Sequence, residues 1–410
     1  MQAMTFANPY RPGAGHMPPH LAGRESEYRD FQRLLEQDRV VDNLILTGLR
    51  GVGKTVLMET FRPRAIASGW VWVGTDLSES ASVTEATMAT RLITDLAVAT
   101  SSVSVEQGVD VPTGFSAKAP SRVRVPVTYQ ILMKLYENTP GLPLDKVKAV
   151  LRFAHECLAS IGTPKVVFAY DEAQNLADNS ARNEFPLSVL LDAFQSVQRE
   201  GIPFLLLLTG LPTLFPKLVE SRTYAERMFR VLSLGRLSKD ESKEAILKPL
   251  DVADCPVLFD EASVQTLIRE SGGYPYFIQF MCREVFDVII QHAARGEMQP
   301  VPVDAIQRKL DADFFAGRWA KVTDRQRQLL FAATSLNRGD DEFTIQELVE
   351  ASKAVLHKGF TPSHVNQILG SLSDQGLIYK NRFGKYSFAV PLLSEFIKRT
   401  TEGAVDQGMF

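Results

Sequence analysis

Apolar positions along this chain follow two periods that alternate. Between residues 25 and 37 they recur at helical spacing, Leu44 to Thr47 is a short apolar run, and a second helical stretch starts at Lys54. The alternation continues with a strand from Trp70 to Thr75 and a helix near 83–99. An amphipathic helix near 144–160, a strand Val166 to Tyr170, a helix near 185–199, a strand Phe204 to Thr209 and a short strand Val231 to Leu234 follow. Strands alternating with helices predict an α/β fold with a five-stranded parallel sheet covered on both faces.

Two stretches break the pattern. Residues 1–22 are rich in Pro and Gly and predict an extended arm, and residues 101–126 read as an insertion or hairpin. Beyond Leu237 the strand signals give way to helical stretches near 239–249, 260–270 and 276–294, a small helical lid. A linker with Pro300 and Pro302 leads through another helix to Thr323, whose hydroxyl is placed to cap the next helix with Gln326 returning the bond. The expected organisation is an arm over 1–22, an α/β core over 23–238, the lid over 239–300, a linker helix over 301–322, a C-terminal domain over 323–400 and a tail over 401–410.

The chain has 410 residues, too many for one ordinary core, with 45% hydrophobic and 23% charged residues. A formal net charge of -3 excludes general coating of nucleic acid, so any DNA contact is local. Three widely spaced cysteines, Cys157, Cys255 and Cys282, suggest neither a disulfide framework nor a zinc site. The start carries no basic-then-apolar leader, and no stretch of about 18 apolar residues occurs. These features lead us to expect a cytoplasmic protein with no membrane partner.

Candidate chemistry sits at the strand ends. Gly48-Leu49-Arg50-Gly51-Val52-Gly53-Lys54-Thr55 lies between an apolar strand and the apolar helix opened by Val56, the context a phosphate-binding loop requires. Gly48, Gly51, Val52 and Gly53 let backbone N–H groups converge on phosphate at a helix N-terminus. Lys54 adds positive charge, and Thr55 offers a hydroxyl to Mg²⁺. ATP or ADP with Mg²⁺ is the expected ligand. The strand Val166 to Tyr170 ends in Asp171-Glu172 and resembles a Walker B motif. In that role Asp171 holds Mg²⁺ through water and Glu172 orients the attacking water. Thr209, ending the next strand, is a candidate sensor of the γ-phosphate; an ordinary turn-starting threonine is the alternative.

The order of these elements resembles an AAA+ ATPase over residues 20–295. Pro19 to Glu25, with Arg24, resembles the segment lying over the adenine in origin-recognition initiators. Ser271-Gly272-Gly273-Tyr274-Pro275 falls where a sensor 2 motif begins. Initiators carry an arginine there; this chain is closer to the Gly-x-Pro motif of archaeal-type and STAND-like ATPases, which implies that Pro275 packs near the base. The resemblance also implies self-association through the ATPase domain, with Arg227 before the fifth strand as an arginine finger. Arg222 and Arg230 are rivals, and all three as solvated surface charges is the alternative.

From Thr323 the pattern resembles a winged helix-turn-helix: helices at 324–335, 344–355 and 362–375, two strands around Phe383-Gly384-Lys385, and a final helix over 391–399. The third helix offers Ser363, His364, Asn366, Gln367 and Ser371 to a major groove, and the wing offers Lys380, Arg382 and Lys385 to phosphate. His364 has no metal spacing around it. Basic residues at 118–134 suit a DNA backbone or a solvated hairpin. The expected function is an ATPase that couples nucleotide state to double-stranded DNA. The alternative is a STAND-like switch whose winged helix serves closure or protein contact.

Overall fold

The computed structural model describes residues 7–13, 15–78, 80, 83–109, 121–252, 258–293, 302–337, 339, 341–381 and 384–405, with backbone alone at 106–109, 121–124, 252, 291–293 and 402–405. The chain forms two compact units. One comprises Glu25–Thr47 and Leu57–Ser233; the other comprises Met1–Arg24, Gly48–Val56 and Leu234–Phe410.

In chain order, α1 (Glu25–Leu35) leads to β1 (Asn43–Gly48), α2 (Lys54–Ala67), β2 (Val71–Val73) and α3 (Glu85–Ala99). A hairpin of β3 (Ser104–Val109) and β4 (Ser121–Pro126) precedes α4 (Tyr129–Asn138) and α5 (Pro143–Ser160). Then come β5 (Val166–Tyr170), α6 (Pro186–Arg199), β6 (Phe204–Gly210), α7 (Leu214–Ser221), α8 (Ala225–Met228) and β7 (Phe229–Leu234). The five-stranded sheet has the order β2-β5-β6-β1-β7, with β2 on β5, β5 on β6 and β6 on β1 paired in parallel.

Strands β1, β5 and β6 are buried along their whole length, which is why they read as unbroken apolar runs rather than alternating ones. Phe168 packs edge-on against Phe194 of α6, ring centroids 5.0 Å apart, fixing that helix to the sheet. Buried Asn43 accepts from the Leu206 amide at 2.8 Å and from Gln198 Nε2 at 2.8 Å, which pins the start of β1 to β6. Helix α3 opens with a capping box between Thr84 and Thr87. The interruption at 101–126 is the β3–β4 hairpin, paired from Ser104↔Pro126 to Val109↔Ser121. Lys118 and the side chains of Arg122 and Arg124 lie outside the described residues.

In the other unit, the described residues of the arm, 7–13 and 15–22, form no helix or strand, yet Tyr10 is docked. Tyr10 is buried, stacks on Phe259 at 6.2 Å and donates its hydroxyl to the Ile246 carbonyl at 2.5 Å. The stretch expected as a lid holds α9 (Lys239–Val252), α10 (Glu261–Ser271) and α11 (Pro275–Ala293). The expected single linker helix is instead α12 (Val303–Leu310), a π-helical turn Asp311–Phe315 and α13 (Ala316–Trp319). That turn places Phe314 against Tyr276 at 5.3 Å and Phe315 against Phe396 at 4.9 Å.

The C-terminal segment is α14 (Asp324–Thr334), α15 (Ile345–Val355), α16 (Pro362–Asp374), a hairpin of β8 (Ile378–Lys380) and β9 (Tyr386–Phe388), and α17 (Leu393–Val405). The Thr323–Gln326 capping box forms as expected. Ile378 pairs with Phe388 and Lys380 with Tyr386 across the hairpin. No helix among the described residues is long and apolar enough to cross a membrane.

Candidate functional site

The loop at the carboxyl end of β1 owes its shape to backbone that only glycine adopts without strain. Gly51 and Gly53 have φ of +80° and +90°, and a Cβ on Gly53 would meet nothing within 4 Å, so the space beside that amide is open. Lys54, buried at the start of α2, donates to the carbonyls of Gly48 at 3.0 Å and Leu49 at 2.9 Å. The ammonium is thus folded back over the loop. Val52 is buried, Thr55 and Val56 are half-buried on the first turn, and the loop suits a phosphate chain.

Two contacts within this unit brace the loop. Arg24, 6% exposed, donates from Nη2 to the carbonyls of Val52 and Gly235, each at 3.1 Å. Its guanidinium therefore braces the loop. Pro275 is the first residue of α11, and the residue after it makes the contact: the Tyr276 amide donates to the Gly51 carbonyl at 3.1 Å. Tyr276 was missed from sequence, although it directly follows the run Ser271 to Pro275.

In the other unit, Asp171 and Thr209 end neighbouring strands β5 and β6, at 3% and 0% exposure. The Thr209 hydroxyl donates to Asp171 Oδ1, which also accepts from the Glu172 amide at 2.8 Å. Backbone bonds from Asp171 N to Thr75 O at 3.2 Å and from Leu77 N to Asp171 O at 2.9 Å hold the strand end. One residue earlier, Tyr170 is wholly buried and donates to Asp95 at 2.7 Å, and Asp95 is in turn paired with Arg91. Burial, reinforced by the Asp95 charge, pushes the Tyr170 phenol well above its ordinary range, so it stays a hydrogen-bond donor.

Glu172 is exposed and left-handed, with φ 52° and ψ 33°, a strained backbone for a residue with a side chain. Gln174 donates to Glu172 and accepts from the Leu211 amide at 3.1 Å, linking the glutamate to the segment after β6. Thr209, Asp171 and Glu172 thus form one hydrogen-bonded group.

The three arginines before the fifth strand separate clearly. Arg222 is paired with Asp192 at 2.8 Å and Arg230 with Asp30 at 2.9 Å. Burial raises the Asp192 carboxyl, but the hydrogen bonds from Arg222 and Tyr224 outweigh it and hold the group below its ordinary value. Arg227 on α8 is exposed and has no ion pair with a described residue.

On α16, Ser363, His364, Asn366 and Gln367 are exposed, while Val365, Ile368, Leu369 and Leu372 are buried. Ser371 is exposed as well, and its hydroxyl accepts from Gln326 Nε2 at 3.0 Å. Lys380 is exposed, Lys385 is exposed but 3.8 Å from Glu342, and Arg382 lies outside the described residues. Arg399 is paired with Asp311 at 2.6 Å.

Comparison with known proteins bears on these arrangements. Residues 20–219 match the model of an AAA ATPase domain, and residues 312–397 match a domain of unknown function, DUF8462. A comparison with curated proteins returned no match. Among solved structures, a Walker-type ATPase of Pyrococcus abyssi is 15% identical, covering 92% of this chain and 96% of that one, with a TM-score of 0.54. The Aeropyrum pernix ORC2 protein in ADPNP–ADP complexes is 13% identical, covering 97% of this chain and 98% of that one, with a TM-score of 0.53. These likenesses concern the fold. The match of residues 20–219 to an AAA ATPase domain agrees with the glycine loop after β1, the carboxylates after β5 and the sheet order that sets β6 between β1 and β5.

Proposed function

We propose that this ATPase couples its nucleotide state to double-stranded DNA through the C-terminal segment, acting as a winged helix. In this reading Lys54 faces the β and γ phosphates, and Thr55 and Asp171, both hard oxygen donors, hold Mg²⁺. The metal supplies charge neutralisation at the phosphates. Glu172 orients the attacking water, and Thr209 keeps the Asp171 carboxylate in one orientation. A cytoplasmic setting and self-association through the ATPase domain belong to the same reading.

One observation carries the DNA half: α16 presents Ser363, His364, Asn366 and Gln367 outward as a polar row on a helix whose other face is buried. Lys380 in the hairpin supplies the phosphate contact, with Arg382 and Lys385 beside it in sequence. The test is ATP turnover and duplex binding measured together across salt concentration. Stimulated turnover and salt-sensitive binding that falls on changing Lys380, Arg382 and Lys385 to Ala support the reading; turnover indifferent to DNA overturns it.

For Arg227 we propose action on a neighbouring subunit's phosphates, supported by its exposure and by the ion pairs that occupy its two rivals. Mixing Arg227→Ala subunits with Glu172→Gln subunits regains activity if the arginine acts in trans, and gives none if it acts within its own subunit.

A second reading, a STAND-like switch, draws on a different observation: the Arg50 guanidinium of the loop lies against Gly376 of the C-terminal segment, with both Nη atoms 3.2 Å from where a Cβ would stand. Tightly retained ADP, assembly only on a partner signal and no effect of DNA on turnover favour that reading.

A further inference from the structure

Two guanidiniums gather near the Gly48 to Thr55 loop without an ion pair to an acidic residue among those described. Arg50 belongs to the loop itself, is half-buried, and makes no hydrogen bond or ion pair with a described residue. Arg318 of α13 is also half-buried; it donates to the Phe314 carbonyl at 2.6 Å and lies 4.5 Å over the Phe314 ring. A continuous chain of contacts links Arg318 to the loop: Phe314 packs on Tyr276 at 5.3 Å, and the Tyr276 amide bonds the Gly51 carbonyl at 3.1 Å. Among the described residues no carboxylate forms an ion pair with either arginine. Burial and then the Arg50 charge pull the Arg318 guanidinium below its ordinary value, as two cations sharing a partly dry space require.

Among the other described residues, half-buried arginines are paired, as Arg91 is with Asp95, Arg222 with Asp192 and Arg399 with Asp311. An unpaired pair of like charges is unfavourable until an anion joins it, and the planar guanidinium fork suits phosphate oxygens. The lid brings Tyr276 rather than a cation to Gly51. The π-helical turn Asp311–Phe315 is what aims Phe314 between Tyr276 and Arg318, and such turns interrupt helices where a function needs a changed register.

We propose that Arg50 and Arg318 receive the terminal phosphate of the bound nucleotide, so that the segment between lid and C-terminal helices distinguishes a triphosphate from a diphosphate. This rests on the reading of Gly48 to Thr55 as the nucleotide site.

The test is equilibrium binding of ADP and of a non-hydrolysable ATP analogue, each with Mg²⁺, to the full chain and to Arg318→Gln, Arg50→Gln, the double variant and Lys54→Ala. We expect Arg318→Gln to weaken the triphosphate about tenfold or more and ADP less than about twofold, with Arg50→Gln alike and the double variant no worse than about the sum. Arg318→Lys, which keeps the charge and the stem over Phe314, falls between, and it serves as the measure if the Gln variant does not fold. Equal losses for both nucleotides, no loss, or a loss confined to DNA affinity would overturn the proposal. A wild-type chain that binds neither nucleotide overturns the nucleotide-site reading itself, an outcome distinct from a wild type that binds both while Arg318→Gln does not discriminate.

Discussion

Thr209 donates its hydroxyl to Oδ1 of Asp171, joining the carboxyl ends of two adjacent parallel strands. Both groups are buried, so the bond is unscreened and its loss leaves a carboxylate lone pair without its donor. Thr209→Val keeps the shape and removes the hydroxyl. We predict a fall in kcat of about 10- to 100-fold with ADP affinity changed less than about threefold, because the bond orients a carboxylate used in turnover. Thr209→Ser retains most activity. Steady-state kinetics beside ADP titration checks this; a parallel loss of ADP affinity contradicts it.

Arg24 holds two backbone carbonyls, one in the loop and one at Gly235. Arg24→Ala leaves the buried Val52 carbonyl without that donor and opens the partly exposed Gly235 carbonyl to water, and we expect a loss of about 1–2 kcal/mol in unfolding free energy with nucleotide affinity about tenfold weaker. Arg24→Lys recovers less than half, since a compact ammonium does not span two carbonyls as a guanidinium does. Denaturant unfolding and nucleotide titration measure the two effects.

The exposed row on α16 and the hairpin lysines predict different signatures with DNA. Lys380→Ala lowers the slope of log affinity against log salt by about 0.9 and weakens all sequences alike. Lys385→Ala has a smaller effect, because Glu342 already lies 3.8 Å from its ammonium. Asn366→Ala and Gln367→Ala alter sequence preference by about 1–3 kcal/mol and leave the salt slope unchanged. Binding measured on a panel of duplexes at several salt concentrations separates these outcomes.

Much of the fold was legible because its information is local. The loop, the strand ending at Asp171 and the Thr323–Gln326 capping box each rest on residues a few positions apart. Helix α4 was hidden behind the insertion that precedes it, and α7 behind the turn at Gly210 to Pro212. The π-helical turn at Asp311–Phe315 leaves no trace in an amphipathic period. Residues whose meaning depends on distant partners escaped as well. Tyr10 meets Ile246 and Phe259, Arg24 meets Gly235, and Arg222 and Arg230 are occupied by Asp192 and Asp30. Spacing in sequence carries none of these pairings, since each is set by how the elements pack.

The central claim is hydrolysis of ATP with the Gly48 to Thr55 loop holding phosphate and Glu172 activating water. The most direct measurement compares ATP binding and single-turnover hydrolysis in the wild type, Glu172→Gln and Lys54→Ala. The account predicts that Glu172→Gln binds ATP within about threefold of wild type while hydrolysis falls at least about 100-fold, and that Lys54→Ala loses both. Hydrolysis by Glu172→Gln at the wild-type rate would contradict it.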